Sequence, residues 1–148
     1  MRVVVAGEGM VELSRDGDGW RLGHGGDTLN TAIHLARAGV NTAYLTALGA
    51  DPLSAELRAN WAAEGLDTAL VLTDPARNPG LYAINTDAHG ERSFTYWREA
   101  SAARAMFECE GSAAALDRAG SDRRRRPTAA CSHGGRRVEA CQRTCPAA

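Results

Sequence analysis

A glycine pair that runs straight into a short amphipathic helix, from His24-Gly25-Gly26-Asp27-Thr28-Leu29-Asn30 to Gly39, constrains this chain more than any other stretch. Gly25 and Gly26 have no Cβ, so they can take positive φ and let a ligand approach bare backbone. Gly26 or Asp27 caps the helix, whose first-turn N–H groups have no partner within it. Leu29, Ala32, Ile33 and Ala36 recur at helical spacing and define one buried stripe, and Gly39 supplies the stop. Asn30 falls in the first turn, off that stripe. Glycine pair, helix N-terminus and amide side chain together make a polar cradle suited to hydroxyl or carboxylate oxygens. A tight loop before an ordinary helix is the competing reading.

Around this helix the periods alternate. Arg2–Ala6 is a buried strand ending at Gly7-Glu8-Gly9, Met10–Leu13 is a short extended piece, and Asp16–Gly19 is a turn before Trp20–Leu22. Beyond Gly39, Thr42–Leu48 is β-prone. Asp51 and Pro52 then open a second helix whose buried side is expected to carry Leu53, Leu57 and Trp61, with Gly65 as its end. Ala69–Leu72 is another strand. Strand, excursion, helix, strand, helix, strand is the order of an α/β parallel sheet with covering helices.

From Asn78-Pro79-Gly80 the period becomes two, giving a hairpin of 81–84 and 92–98 that turns at Asp87-Ala88-His89-Gly90. Its two strands form part of a lid with Tyr82, Tyr96 and Arg98 on the inner face. An arginine can grip a carboxylate through two parallel hydrogen bonds, and the phenols offer hydroxyls on rigid rings. Rings that merely pack beside a solvated arginine are the plain alternative.

Gly25, Gly26, Asn30, Ala32, Leu35, Ala36 and Gly39 complete a string, Gly-Gly-x-x-x-Asn-x-Ala-x-x-Leu-Ala-x-x-Gly, that resembles the first signature of the ribokinase-like (PfkB) sugar kinases. Gly7–Leu13, Gly25–Asn30, the Gly80-Leu81-Tyr82 step and the Tyr96-Trp97-Arg98 triplet are most similar to the 2-keto-3-deoxygluconate kinase branch. Gly49-x-Asp51 and Glu64–Asp67 resemble further landmarks of the family. The resemblance implies that Gly25, Gly26, Asp27 and Asn30 line a sugar-acid site. Tyr82 would close over it, and Tyr96 with Arg98 would receive the substrate's oxygens and carboxylate. It also implies a ribokinase-like sheet with a small β lid (strands about 10–22 and 79–98) and phosphorylation of a sugar acid with ATP and Mg2+. Kinases of fructose or ribose are the neighbouring alternative, and a homodimer through lid strands is a further expectation.

The likeness covers roughly 1–117. No Gly-Ala-Gly-Asp turn, the family's phosphate cradle and base, occurs in the sequence, so a truncated, inactive form with the ATP-binding half missing is expected. Residues 118–148 are arginine-rich and lack apolar periodicity, as a disordered or out-of-frame tail would. Nucleic-acid binding by the Arg123–Arg126 run and a metal site at Cys131, His133, Cys141 and Cys145 are the minor readings. All 17 basic residues are arginines, and without lysine neither a P-loop nor Schiff-base chemistry is available. Gly7 and Gly9 lack the third glycine of a dinucleotide fingerprint, and Asp16–Gly19 lacks the distal Glu of a calcium loop. No stretch approaches the ~20 apolar residues of a spanning helix, and the start does not read as a signal peptide, so a cytoplasmic location is expected.

Overall fold

The computed structural model describes residues 2–121, so the arginine run and the Cys/His group named above lie outside the described residues. Two sheets divide the work. Strands β1 (Arg2–Ala6), β4 (Asn41–Leu48) and β5 (Val71–Thr73) form a parallel sheet in the order β1-β4-β5. Strands β2 (Met10–Asp16), β3 (Gly19–Gly25), β6 (Leu81–Thr86) and β7 (Arg92–Trp97) form the lid in the order β3-β2-β6-β7. Helices α1 (Asp27–Arg37), α2 (Pro52–Ala63) and α3 (Ser112–Ser121) complete the fold, which is that of an α/β protein.

Strand β4 is buried from Thr42 to Leu48 because β1 and β5 flank it and helices cover both faces. Tyr44 and Leu48 pack with Leu29, Ala32 and Ile33 of α1 and Leu57 and Trp61 of α2, while Ala43 and Leu45 pack with Ala115 of α3. Complete burial of a residue such as Leu29 contributes roughly 1.5–3 kcal/mol. Trp61 meets Tyr44 edge-on at 5.4 Å and 88°. The Gly7/Gly9 pair has a packing cause here. A Cβ on Gly9 would come within 2.6 Å of the Trp61 ring, and one on Gly7 would collide with the Thr28 side chain.

Several local expectations shift. Leu53 is 41% exposed, and the buried side of α2 carries Ser54, Leu57 and Trp61 instead. Four-residue steps drift around a 3.6-residue helix, whereas 54, 57 and 61 follow its face. The third parallel strand is Val71–Thr73, because Ala69 and Leu70 are spent on the turn before it. The short pieces at 10–13 and 20–22 are one antiparallel hairpin paired from Met10↔Gly25 to Asp16↔Gly19, with Gly17 at φ +57° in its turn. Sequence periodicity did not reveal helix α3, which spans Ser112–Ser121. Among the described residues no helix is long and apolar enough to cross a membrane.

Candidate functional site

The lid's two faces differ in chemistry because strand side chains alternate. Register pairs Glu12↔Tyr82 and Tyr82↔Tyr96 put the polar groups of β2, β6 and β7 on one face. That face overhangs the N-terminus of α1, and between them lies a cleft of about 410 Å³. Its walls carry Gly26, Asp27, Thr28 and Asn30 from the helix entrance, Tyr82, Arg92, Phe94, Tyr96 and Arg98 from the hairpin, and Glu8, Met10 and Glu12 from the first crossing into the lid.

The glycine pair serves two different purposes. Gly26 is the N-cap of α1 at φ +138°, and a Cβ there would stand 2.5 Å from the Glu8 carbonyl oxygen. No side chain caps the helix, so the first-turn N–H groups remain available beside the cleft. Gly25 is set back from the cleft. Its missing side chain leaves room for the Tyr82 hydroxyl, which donates to Glu12 Oε2. Burial, and then this bond, push the Tyr82 phenol well above its usual range, so it stays protonated with its proton committed to Glu12.

Arg98 forms an ion pair with Glu8, Nη2 to Oε2 at 2.5 Å, and Ser101 Oγ donates to Glu8 Oε1 at 2.6 Å. The Arg98 Nε is buried and has no hydrogen-bond acceptor. Tyr96 is 48% exposed, stacked against Phe94 at 6.3 Å and lying 5.8 Å from the Tyr82 ring. Thr28 Oγ1 and the Tyr44 hydroxyl are hydrogen-bonded at 3.0 Å, anchoring the helix entrance to the parallel sheet. Asp27 and Asn30 are exposed at the rim.

Of the residues singled out from sequence, Gly26, Asp27, Asn30, Tyr82, Tyr96 and Arg98 therefore gather around one cleft, and Gly25 stands behind Tyr82. Glu8, Glu12, Arg92, Phe94 and Ser101 were not singled out. The signal for Phe94 was available, since it falls in phase with Tyr96 on the lid's inner face, whereas Glu12 joins that face only through its pairing with Tyr82. Nothing local marks Ser101, 93 positions from its partner Glu8. Among the described residues no group of three His, Cys, Asp or Glu side chains fits a metal ion. The cleft mixes Glu8, Glu12 and Asp27 with Arg92 and Arg98, so both hydroxyl donors and anionic oxygens could find partners in it.

Residues 2–121 match the family described as pfkB family carbohydrate kinase. The 2-dehydro-3-deoxygluconokinase of Escherichia coli K12 is 45% identical over 117 residues, covering 76% of this chain and 38% of the relative. That of Dickeya dadantii is 46% identical over 110 residues, covering 72% and 36%. The chain thus spans less than two fifths of the length of these relatives. The crystal structure of 2-dehydro-3-deoxygluconokinase from Thermotoga maritima superposes with a TM-score of 0.65 over 84% of this chain and 48% of that one, at 20% identity, a likeness of fold.

Proposed function

The chain belongs to the pfkB family of carbohydrate kinases, and from that premise we propose that its cleft is the receptor for a sugar acid, 2-keto-3-deoxygluconate (synonymous with 2-dehydro-3-deoxygluconate). The observation that carries the proposal is the convergence of Arg98, Tyr96 and the Tyr82–Glu12 pair on the uncapped N-terminus of α1. Arg98 takes the carboxylate as a charge-assisted donor. The α1 terminus adds backbone N–H groups and a favourable dipole for anionic or hydroxyl oxygens. Asn30 and Tyr96 supply side-chain donors and acceptors for the hydroxyls. Tyr82, whose proton is held by Glu12, presents only lone pairs and so selects a hydroxyl donor.

In this reading the reaction is transfer of the γ-phosphate of ATP, with Mg2+, to the terminal hydroxyl of the sugar acid. The part assigned to the described residues is binding and orientation, which phosphoryl transfer depends on heavily. The outer face of the lid, where Trp20, Leu22 and Trp97 are about half exposed, is the surface we assign to pairing of two copies. A kinase of a neutral sugar is the competing function, and Arg98 in the cleft weighs against it.

Calorimetric titration of the chain with 2-keto-3-deoxygluconate and, separately, with fructose tests the proposal. Saturable binding of the acid, lost in Arg98→Ala, is expected. Equal or tighter binding of fructose would overturn it.

A further inference from the structure

Resting on the sugar-acid reading, we infer that Glu8 is the positioning residue that aims Arg98 into the cleft, with Ser101 holding Glu8 in turn. Glu8 lies where the chain leaves the parallel sheet and enters the lid, and its side chain is only 10% exposed. Both ends of its carboxylate are engaged, Oε1 by the Ser101 hydroxyl at 2.6 Å and Oε2 by Arg98 Nη2 at 2.5 Å. Space is reserved for it on two sides. A Cβ on Gly80 would stand 2.6 Å from Glu8 Oε1, and one on Gly26 would stand 2.5 Å from the Glu8 carbonyl oxygen.

Ser101 is itself fixed by backbone bonds, its N–H donating to Arg98 O at 3.1 Å and that of Ala102 to Asn78 O at 2.9 Å. The segment that carries Arg98 is thereby tied to the residue that orients its guanidinium. Within the pair, Arg98 Nε and Glu8 Oε2 are both buried without an aligned hydrogen-bond partner, although their groups are in ionic contact. Charge attraction, rather than a forked hydrogen bond, holds the guanidinium, so its remaining donors are uncommitted. A buried donor left unmet is unfavourable, more so when charged, and a ligand carboxylate removes that cost. Without Glu8 a long, 37% exposed arginine regains its rotamer freedom, and ordering it again opposes binding.

An opposing effect exists, because Glu8 also carries negative charge near an anionic ligand. The two roles predict opposite signs. Positioning predicts that Glu8→Gln, which keeps the size and an acceptor for Ser101, weakens 2-keto-3-deoxygluconate binding by about tenfold or more. Simple charge balance predicts tighter binding.

The experiment is calorimetry of the full chain with 2-keto-3-deoxygluconate and fructose for wild type, Glu8→Gln and Ser101→Ala. Melting temperatures are recorded alongside, together with the Arg98 side-chain 15Nε–1Hε resonance. Expected are loss of acid affinity in Glu8→Gln, a smaller loss in Ser101→Ala, no loss toward fructose, and a shifted or broadened Arg98 resonance. Unchanged or tighter acid binding in Glu8→Gln, or an unchanged Arg98 resonance, overturns the inference. If wild type shows no preference for the acid, the sugar-acid reading fails, and the resonance alone still decides whether Glu8 orients Arg98. Should Glu8→Gln not fold, Ser101→Ala and Glu8→Asp take its place in the same measurements.

Discussion

Tyr82 donates its hydroxyl proton to Glu12 across a parallel register pair, joining residues 70 apart in the chain into one wall of the cleft. Gly25 makes the contact possible, because any Cβ there would occupy the place of the phenol oxygen. The glycine that sequence inspection assigns to ligand approach thus acts one layer further back. It shapes the residue that faces the ligand.

Replacing Glu12 with Gln should lower the Tyr82 phenol toward its usual range, since Glu12 raises it both as acceptor and by charge. Burial still keeps it above the usual value of about 10. Ultraviolet titration of phenolate formation, with Tyr82→Phe to assign the signal, reads the shift. A titration identical to wild type would show that Glu12 does not hold the proton.

The two glycines should respond differently to alanine. At position 26 the new Cβ meets the Glu8 carbonyl at a φ of +138°, so backbone must move, and the destabilisation should exceed about 1 kcal/mol. At position 25 it meets the end of a side chain, so the Tyr82 ring can shift. Gly25→Ala should therefore spare stability more than Gly26→Ala while still weakening sugar-acid binding. Urea unfolding and calorimetry separate these effects.

Asp51 caps α2, accepting from Ser54 N at 3.0 Å and Ser54 Oγ at 2.6 Å, and Ser54 Oγ in turn accepts from Gly49 N at 2.8 Å. Burial pushes its carboxyl up, but the bonds from Ser54 outweigh burial and hold it below the usual range. Asp51→Ala should cost about 0.5–2 kcal/mol. A depressed carboxyl stabilises the native state above its unfolded value, about 3.9, and loses that effect as pH falls through the folded value. The gap in melting temperature between wild type and variant should accordingly narrow below about pH 3.9.

At the alkaline end, burial raises the Tyr44 phenol to about 12, and Tyr82 is raised too. A group raised in the native state stabilises it fully below the unfolded value, about 10, and this is lost as pH climbs through the folded value. Stability should fall from about pH 10 toward 12. In Tyr44→Phe the fall should be shallower, with Tyr82 supplying what remains. An equal slope in the variant would rule out Tyr44 as a source.

Pairing of two copies through the outer lid face should be sensitive to Trp97, which is 57% exposed. Light scattering should give a dimer for wild type at high concentration and a monomer for Trp97→Glu. Wild type that stays monomeric would remove that proposal.

Much of the fold was legible because its signals are local. The Leu29, Ala32 and Ile33 stripe, the Asp51-Pro52 helix start and the two-residue period around Tyr82 and Tyr96 each follow from backbone geometry within a few residues. Leu53 was misplaced because equal four-residue steps look amphipathic on paper yet rotate off the buried face. Helix α3 was missed because its only buried residue is Ala115, too weak a stripe to read. The site was legible in its arginine, tyrosines and helix entrance. Glu8 and Glu12 were hidden because a carboxylate between two glycines, or one in an alternating strand, resembles a solvated surface charge. Their meaning depends on Ser101, Arg98 and Tyr82, which only strand register brings near.

One face of the lid and the N-terminus of α1 are assigned to the same sugar acid, and amide chemical-shift mapping reads both at once. On titration with 2-keto-3-deoxygluconate, the amides of Gly26 to Asn30 and the side-chain signals of Tyr82, Tyr96 and Arg98 should move together along one saturation curve. Signals of Trp20 and Leu22, on the opposite face of the lid, should stay in place. Shifts confined to that opposite face, or no saturable shift at the helix entrance, would rule out a sugar-acid site shared by the lid and α1.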